Sequence, residues 1–314
     1  MKNKSTEYTV REACDLLSYL VSVIGTTRTN AKRWLQHRLV SVNGVVVSQF
    51  DTALKTGDKI DIRSGQGAVE LRHPKLRLVY EDEHLIVVEK RNGLLSVPST
   101  AGSSETTAYS ILRAYVKKQN QRNGVFVVHR LDRETSGLLV FAKTVELQHY
   151  MREYWREIVT RRTYVAVAEG RWEKKQGQIR SWFTEDKRNA MVYSSPVDDG
   201  GDLAITNYEV LKETAAGSSA FAAKGGLSLV ELHLETGRTN QIRVHLASAG
   251  HPVAGDRKYG HGNDPVLAQA LQQKKNDRLC LHARVLEFIH PVTEQKLHFE
   301  TPVPKSFLSM LSDR

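Results

Sequence analysis

Residues 125–144 read VFVVHRLDRETSGLLVFAKT, two apolar runs that bracket a polar loop. The runs, Val125–Val128 and Leu138–Ala142, have the length and content of buried strands. Between them stands His129-Arg130-Leu131-Asp132-Arg133-Glu134-Thr135-Ser136-Gly137. A loop this dense in charge and hydroxyls is costly between buried strands unless it lines a polar cleft or faces solvent. On composition alone an ordinary solvated hairpin loop is the simpler reading.

The pattern around it extends the constraint. Leu78-Val79-Tyr80 and Leu85 to Lys90 read as strands around the turn 81–84. Further strands are predicted at 125–130, 138–143, 162–169, 203–212, 227–235 and 279–288, and helices at 105–118 and 145–158. Thr239–Ala249 reads as a helix closed by Gly250, with Ile242, Leu246 and Ala249 toward the core and Arg243 flanking that face. Runs of strands with scattered helices, and no regular β-α-β alternation, predict an α+β fold with a mixed, largely antiparallel sheet flanked by helices. Residues 213–226, rich in small side chains, are predicted as a hairpin insertion. The polar stretch 257–277 is predicted as a loop with a short helix. No internal repeat is present.

The N-terminal part has a different texture. Ala13, Leu16, Leu17, Leu20, Val21 and Ile24 make an apolar stripe that predicts a helix over 11–26, ended by Gly25. Thr29 opens a second predicted helix, Asn30 to His37, with Ala31, Trp34 and Leu35 on one side. Residues 39–46 read as two short strands around Asn43-Gly44, a hairpin signal. Thr56-Gly57-Asp58 then turns into an alternating strand. Arg28, Lys32, Arg33 and Arg38 cluster on and beside the second helix, and no acid falls between Arg28 and Asp51. Residues 64–75 have no periodicity and read as a linker, so the expected domains are 1–63 and 76–314. Two domains also fit the chain's 314 residues, at roughly 150 residues per domain.

The formal net charge of +10 favours a polyanionic partner, because Lys and Arg that neutralise phosphates release counterions. The two cysteines, Cys14 and Cys280, form no Cys-x-x-Cys pair, so neither a zinc knuckle nor a disulfide framework is indicated. The N-terminus, MKNKSTEYTVREACD, lacks the apolar core of a signal peptide, and no apolar run reaches membrane-spanning length. A cytoplasmic protein with no membrane partner is expected.

The literal sequence narrows this further. His129-Arg130-Leu131-Asp132-x-x-Thr135-Ser136-Gly137-Leu138-Leu139 resembles the signature of the RluA/RluD-type RNA pseudouridine synthases. Tyr80–Lys90, Arg162-Thr163-Tyr164-Val165-Ala166-Val167, Glu235-Thr236-Gly237-Arg238-Thr239-Asn240-Gln241-Ile242-Arg243-Val244-His245, Gly250–Asp256 and Leu281-His282-Ala283 resemble that family's other motifs, in its order. The N-terminal pattern over about residues 10–63 resembles the small αL-type RNA-binding domain named after ribosomal small-subunit protein four. The resemblance implies Asp132 as nucleophile, Arg243 as the cation beside it, and Tyr164 stacked on a flipped uracil with Leu281 on the other side of the pocket. It implies substrate contacts from Arg130, His129, Arg238 and Gln241, and RNA contacts from Arg28, Lys32, Arg33 and Arg38. His129 has a structural reading as well. Two departures stand out: Arg91 follows Lys90 where the family has Pro, and Asn240 replaces a His.

The implied chemistry suits these residues. Converting uridine to pseudouridine breaks a bond from the anomeric carbon to nitrogen and makes one to carbon, with no redox change and no net hydrolysis. No cofactor is needed, and no metal-ligand spacing appears. A carboxylate can attack the anomeric carbon or remove a sugar proton. It must stay ionised in a partly dry pocket, where a nearby cation lowers a carboxyl pKa by about 1–3 units. The expected partner is RNA, ribosomal first and tRNA second, and a monomer is the default. Two other readings use the same residues. One is a non-catalytic RNA-binding assembly factor. The other is a glycosidase or nucleoside hydrolase, which would require a second carboxylate such as Glu134 or Asp256.

Overall fold

The apolar stripe expected as one helix over 11–26 folds as two elements. In the computed structural model, strand β1 is Lys4–Thr9, β2 is Cys14–Asp15, and helix α1 covers only Leu16–Ser22. The carboxylate of Asp15 accepts the Ser18 amide at 2.8 Å and so fixes the helix start five residues late. The residues described are all but 1–3, 37, 65–68, 70, 101–102, 215–224, 265–268, 270–271, 273–277 and 313–314. They fall into two units, Met1–Glu70 and Leu71–Arg314.

In the first unit, helix α2 (Arg28–Gln36) is followed by β3 (Val40–Val42), β4 (Val45–Val46), β5 (Ala53–Leu54) and β6 (Lys59–Ser64). A four-stranded sheet runs β1-β6-β3-β4, and β2 pairs with β5. Asn43 and Gly44 both take positive φ, 51° and 80°, as the tight turn between β3 and β4 requires. Strand β1 was not predicted, because KSTEYT carries one aromatic residue and no apolar alternation. Leu16, Leu20, Ala31, Leu35, Val40 and Ile60 form this unit's own core. Arg28 and Lys32 are exposed and Arg38 is half-exposed. His37 and the Arg33 side chain lie outside the described residues, as do 65–68 and 70 of the expected linker.

The second unit is built on an eleven-stranded sheet. Its strands and helices are, in chain order, β7 (Leu76–Glu81), β8 (Leu85–Lys90), α3 (Ala108–Gln119), β9 (Phe126–Val127), β10 (Ser136–Ala142), α4 (Val145–Glu153), α5 (Trp155–Ile158) and β11 (Val159–Glu169). There follow β12 (Gln176–Asp186), β13 (Met191–Ser195), β14 (Asp202–Glu213), β15 (Leu227–Leu234), α6 (Gln241–Ser248), β16 (Leu281–Ile289), β17 (Lys296–Glu300) and α7 (Lys305–Met310). The main path is β13-β12-β14-β15-β11-β16-β10-β8-β7, with β17 on β16 and β9 on β10. All pairings in it are antiparallel except β10 with β16, so the fold is α+β on a mixed, mostly antiparallel sheet.

Strand β10 is buried at every residue, which its unbroken apolar run requires. Gly137 makes its parallel neighbour possible. A Cβ there would lie 2.1 Å from the Ala283 carbonyl oxygen, and the residue takes φ 117°. The predicted strand 125–130 shrinks to Phe126–Val127, and the predicted helix 145–158 breaks at Tyr154. Ala249, expected to face the core, is exposed beyond the end of α6. Residues 215–224 of the expected hairpin insertion, and 265–268, 270–271 and 273–277 of the polar loop, lie outside the described residues.

Candidate active site

Asp132 sits on the loop between β9 and β10, and that loop is held from beneath by a buried cation. Lys90, fully buried at the end of β8, donates from Nζ to the carbonyl oxygens of Leu94 (2.8 Å), Asp132 (3.1 Å) and Arg133 (3.1 Å). Burial drives its pKa down to about 7, against the pull of Glu134 and Asp132. Ser96 completes the clamp: its hydroxyl donates to the Leu131 carbonyl at 2.7 Å and accepts the Leu131 amide at 3.0 Å. The main chain on either side of Asp132 is thus fixed while its side chain remains 36% exposed.

One oxygen of that side chain, Oδ2, accepts from Arg243 Nη1 at 3.3 Å. Arg243 lies on α6, and its firmer partner is Asp256. The two form a parallel pair, Nε to Oδ2 and Nη2 to Oδ1, both at 2.8 Å. The Asp256 side chain is 1% exposed and also accepts the amides of Lys258 (2.8 Å) and Tyr259 (3.0 Å). Burial raises the Asp256 carboxyl, but Arg243 and the two amides more than offset it and hold it below the usual carboxylate range. Burial likewise depresses the Arg243 guanidinium, and Asp256 followed by Asp132 carries it above its ordinary value. Asn240 completes the arrangement. Its Oδ1 accepts Arg243 Nη1 at 3.0 Å and its Nδ2 donates to the Tyr259 hydroxyl at 3.2 Å. The Tyr259 ring lies 5.2 Å from the Arg243 guanidinium carbon. Asn240 tolerates its φ of 55° as a left-handed residue at the start of α6.

Tyr164 stands on β11 at a register shift between that strand and β16, the kind of irregularity that re-aims a side chain. Its ring packs on the core cluster that contains Leu281, which is 4% exposed. Burial pushes its hydroxyl pKa up, Arg162 opposes that shift, and Asp132 adds to it. His129 accepts the Val140 amide through Nε2 at 3.2 Å and packs against Trp155 with ring centroids 4.8 Å apart and the planes tilted by 39°. Burial, with Arg162 nearby, holds it down to about 3, so it is a neutral structural ring at physiological pH. Arg130 is exposed to solvent beside Asp132.

Two of the expected substrate contacts are engaged by the protein's own groups, Gln241 in the interior and Arg238 at the surface. Gln241 is buried; its Oε1 accepts Thr236 Oγ1 (2.8 Å) and the Arg238 amide (2.9 Å), and its Nε2 donates to Ile205 O (2.9 Å) and Thr206 Oγ1 (3.0 Å). It braces the start of α6 and has no valence left for a ligand. Arg238 binds the Leu203 carbonyl (3.0 Å) and Asp202 (3.0 Å) on a separate small cleft. A larger cleft of about 520 Å³ is lined by Arg243 itself with Asn92, Glu134, Asp256, Lys258 and Arg278 among others. Among the described residues, no three His, Cys, Asp or Glu side chains gather in a way that could hold a metal.

The geometry gathers Asp132, Arg243 and the cluster around Tyr164 at one end of the central strands, and comparison with known proteins gives the site its context. A family model described as RNA pseudouridylate synthase matches residues 84–248. The chain belongs to that family. It is 35% identical to the uncharacterized RNA pseudouridine synthase YhcT of Bacillus subtilis, over 96% of this chain and 95% of the relative. It is 37% identical to ribosomal large subunit pseudouridine synthase D of Neisseria meningitidis serogroup A, over 91% of this chain and 74% of the relative. Against the enzyme of the same description from Nitrosomonas europaea it is 33% identical, over 91% and 79%. The solved structure of human RNA pseudouridylate synthase domain containing 4 aligns with a TM-score of 0.57 at 24% identity, covering 75% of this chain and 91% of that one, a likeness of fold. As a pseudouridylate synthase the protein is an isomerase of RNA uridines.

Within this synthase the sequence left three structural partners unassigned. Lys90 closed a family-like motif and an apolar strand, but nothing in the sequence pointed to its contact with the Asp132 loop. Asp256 stood in a quoted motif, but only as a possible second acid for hydrolysis. Its bidentate engagement by Arg243 removes it from that role. Tyr259 fell in a polar stretch with no periodicity, where nothing pointed to it.

Proposed function

We propose that this synthase isomerises specific uridines in large-subunit ribosomal RNA, with Asp132 as the nucleophile at the anomeric carbon. The observation that carries the reading is the unequal sharing of Arg243. Asp256 takes two of its nitrogens, and Asp132 takes one long contact that leaves Oδ1 without a hydrogen bond among the described residues. A carboxylate beside a guanidinium, partly exposed and free at one oxygen is poised to attack. In this reading Tyr164 stacks on the uracil, and its hydroxyl helps to remove the proton from carbon 5 after the base has turned. Leu281 backs the pocket. The target must first leave its stack, at a cost of a few kcal/mol, and in this reading Arg130 fills the vacated space. The enzyme requires no cofactor and acts as a cytoplasmic monomer. Support for ribosomal RNA comes from the relatives, several of which are described as large-subunit synthases.

The deciding experiment maps pseudouridines in RNA from cells with the gene, without it, and complemented by Asp132→Asn. Sites should vanish from large-subunit ribosomal RNA on deletion and return with wild type only. Loss from tRNA alone would replace the substrate. Release of free uracil by purified enzyme would point to hydrolysis, and no change in any RNA would leave a binding factor.

The first unit is read as an αL-type RNA-binding module, carried by Arg28, Lys32, Arg33 and Arg38. It has its own core, and none of the proposed catalytic residues belongs to it. Deleting residues 1–68 should therefore leave a folded enzyme with weakened RNA binding and turnover largely restored at saturating RNA. Each lost phosphate contact should flatten the log–log salt dependence of binding by about 0.7 for single strands. Unchanged affinity and slope in the truncated protein would refute the module's role.

A further inference from the structure

Arg162 is a cation without a counter-ion among the described residues, and it stands close to Tyr164. It stands two residues before Tyr164 on β11, with Thr163 between them turned into the interior. Its side chain is half-buried. Its hydrogen bonds run from Nη2 to the carbonyl oxygens of Leu234 and Thr236, both long at 3.4 Å. No carboxylate pairs with it among the described residues. Its Nη1 lies 3.0 Å from where a Cβ on Gly237 would stand, so the glycine leaves the space the guanidinium occupies. A second guanidinium, Arg156 on α5, is exposed and also unpaired with any acid among the described residues, and its charge works against that of Arg162. Burial depresses the Arg162 pKa, Tyr164 opposes that shift, and the smaller repulsion from Arg156 adds to it, while the Arg162 charge reaches both Tyr164 and His129.

Partly burying a cation without a partner is costly, and placing a like charge near it adds to the cost. An anion bound between the two groups relieves both. His129, neutral and committed through Nε2 to Val140, offers no competing charge. We propose that Arg162, assisted by Arg156, is the seat of the phosphodiester that flanks the flipped uridine, holding the nucleotide's backbone while Tyr164 holds its base. The seat rests on the functional reading above, and its ligand is the anion that every RNA linkage carries. The planar fork of Arg suits two non-bridging phosphate oxygens in a way that Lys does not. The opposing account makes Arg162 a clasp on the end of β15. A clasp affects folding but has no reason to alter the salt dependence of RNA binding.

The test uses the full chain and a ribosomal RNA stem-loop that contains a mapped target uridine. Three forms of it are compared: natural, and neutralised by a methylphosphonate at the linkage on the 5′ or on the 3′ side. Arg162→Gln keeps donors for the two carbonyls and removes the charge. It should lose about ten- to hundredfold in affinity at low salt, the worth of one charged hydrogen-bond pair, with a salt slope lower by about 0.7. Wild type should lose a similar factor on one of the two methylphosphonate RNAs, and Arg162→Gln should lose no more on that RNA. Arg162→Lys should recover part of the slope. Arg156→Ala should act in the same direction with a smaller effect. Equal methylphosphonate losses in wild type and Arg162→Gln would overturn the seat, as would an unchanged salt slope. Should Arg162→Gln fail to fold, the same comparison made with Arg162→Lys decides. Wild type that makes no pseudouridine in this RNA would defeat the functional reading itself. Wild type that isomerises it while Arg162 variants bind unchanged would defeat only the seat.

Discussion

Two aspartates meet the same guanidinium, and the regions that hold them differ in almost every physical respect. Asp256 lies on a buried turn after α6, with both carboxylate oxygens on Arg243 at 2.8 Å and two main-chain amides behind it. Asp132 lies on a partly exposed loop, with one oxygen at 3.3 Å from Arg243 and the other unbonded among the described residues. In the Asp132 loop it is the main chain that is fixed, by Lys90 and Ser96. In the Asp256 turn it is the side chain. On the proposed reading the difference separates holding from reacting: a carboxylate saturated by four hydrogen bonds is a poor nucleophile and a good anchor. One with a fixed backbone and a loose, solvent-reachable oxygen is the reverse.

Exchanging the two carboxylates for amides should expose that division. Asp132→Asn removes the anion with little change in volume. It should lower pseudouridine formation by at least about a thousandfold, the scale of removing a catalytic group, with RNA affinity and thermal stability near those of wild type. Single-turnover rates and a melting curve check this, and activity within tenfold of wild type would return Asp132 to the bystanders. Asp256→Asn should do the opposite in kind. It leaves Arg243 buried without its main counter-ion, which costs about 3–5 kcal/mol in comparable pairs. Activity should fall less than in Asp132→Asn, through a misplaced Arg243. A variant as stable as wild type by denaturant unfolding would mean that the anchor is elsewhere.

Lys90 sharpens the comparison from the loop's side. Its folded pKa of about 7 lies below its ordinary 10.5, so between those values the unfolded chain binds a proton that the folded chain does not. Stability should therefore rise with pH across that window on its account, and be lost again as pH falls toward about 7. Lys90→Met removes this component and leaves the carbonyls of Leu94, Asp132 and Arg133 unsatisfied. It should be less stable throughout, and its stability should climb less steeply between pH 7 and 10 than that of wild type. Parallel pH dependences in urea unfolding would show that Lys90 does not titrate there.

How much of this the sequence disclosed follows the kind of interaction. Strands β8, β10, β11 and β16 were visible as apolar runs, because a central strand of a covered sheet has no choice but to be apolar on both faces. Strands β12 and β17 and helix α7 were not predicted. QGQIRSWFTED and KLHFE mix polar and apolar residues without a clean period, and their pairing is decided by neighbours far along the chain. In the site, Asp132, Tyr164 and Arg243 were legible because their motifs are spelled out locally. The Arg243–Asp256 pair spans thirteen residues and a helix end, and the Lys90 clamp on Asp132 spans forty-two. No periodicity records such distances. Gln241 had the opposite fate: its place in a motif suggested a ligand contact, and the fold spends both ends of its amide on its own backbone and hydroxyls.

The smallest effect tests the finest part of the comparison, the aim of Arg243 Nη1. That nitrogen is shared between Asp132 and the Asn240 side chain, and Asn240 is in turn oriented by the Tyr259 hydroxyl at 3.2 Å, which also accepts the Val192 amide at 3.1 Å. Tyr259→Phe keeps the ring beneath the guanidinium and removes only the hydroxyl. Asn240 then loses one of its two fixed contacts, and the amide gains freedom to turn away from Nη1. Because Asp256 still grips Nε and Nη2, Arg243 cannot leave; only the direction of the third nitrogen loosens. The expected cost is that of one neutral hydrogen bond, about 0.5–1.5 kcal/mol, or roughly two- to tenfold. It should fall on the chemical step rather than on RNA affinity, since these groups act through the aim of Arg243. Asn240→Ala should lower the single-turnover rate by at least as much. Combined with Tyr259→Phe it should add little, because both act through one contact. If the two losses instead multiply, Tyr259 acts on the site by a route other than Asn240. If Tyr259→Phe changes binding and leaves the rate alone, the aim of Nη1 is not what distinguishes Asp132 from Asp256.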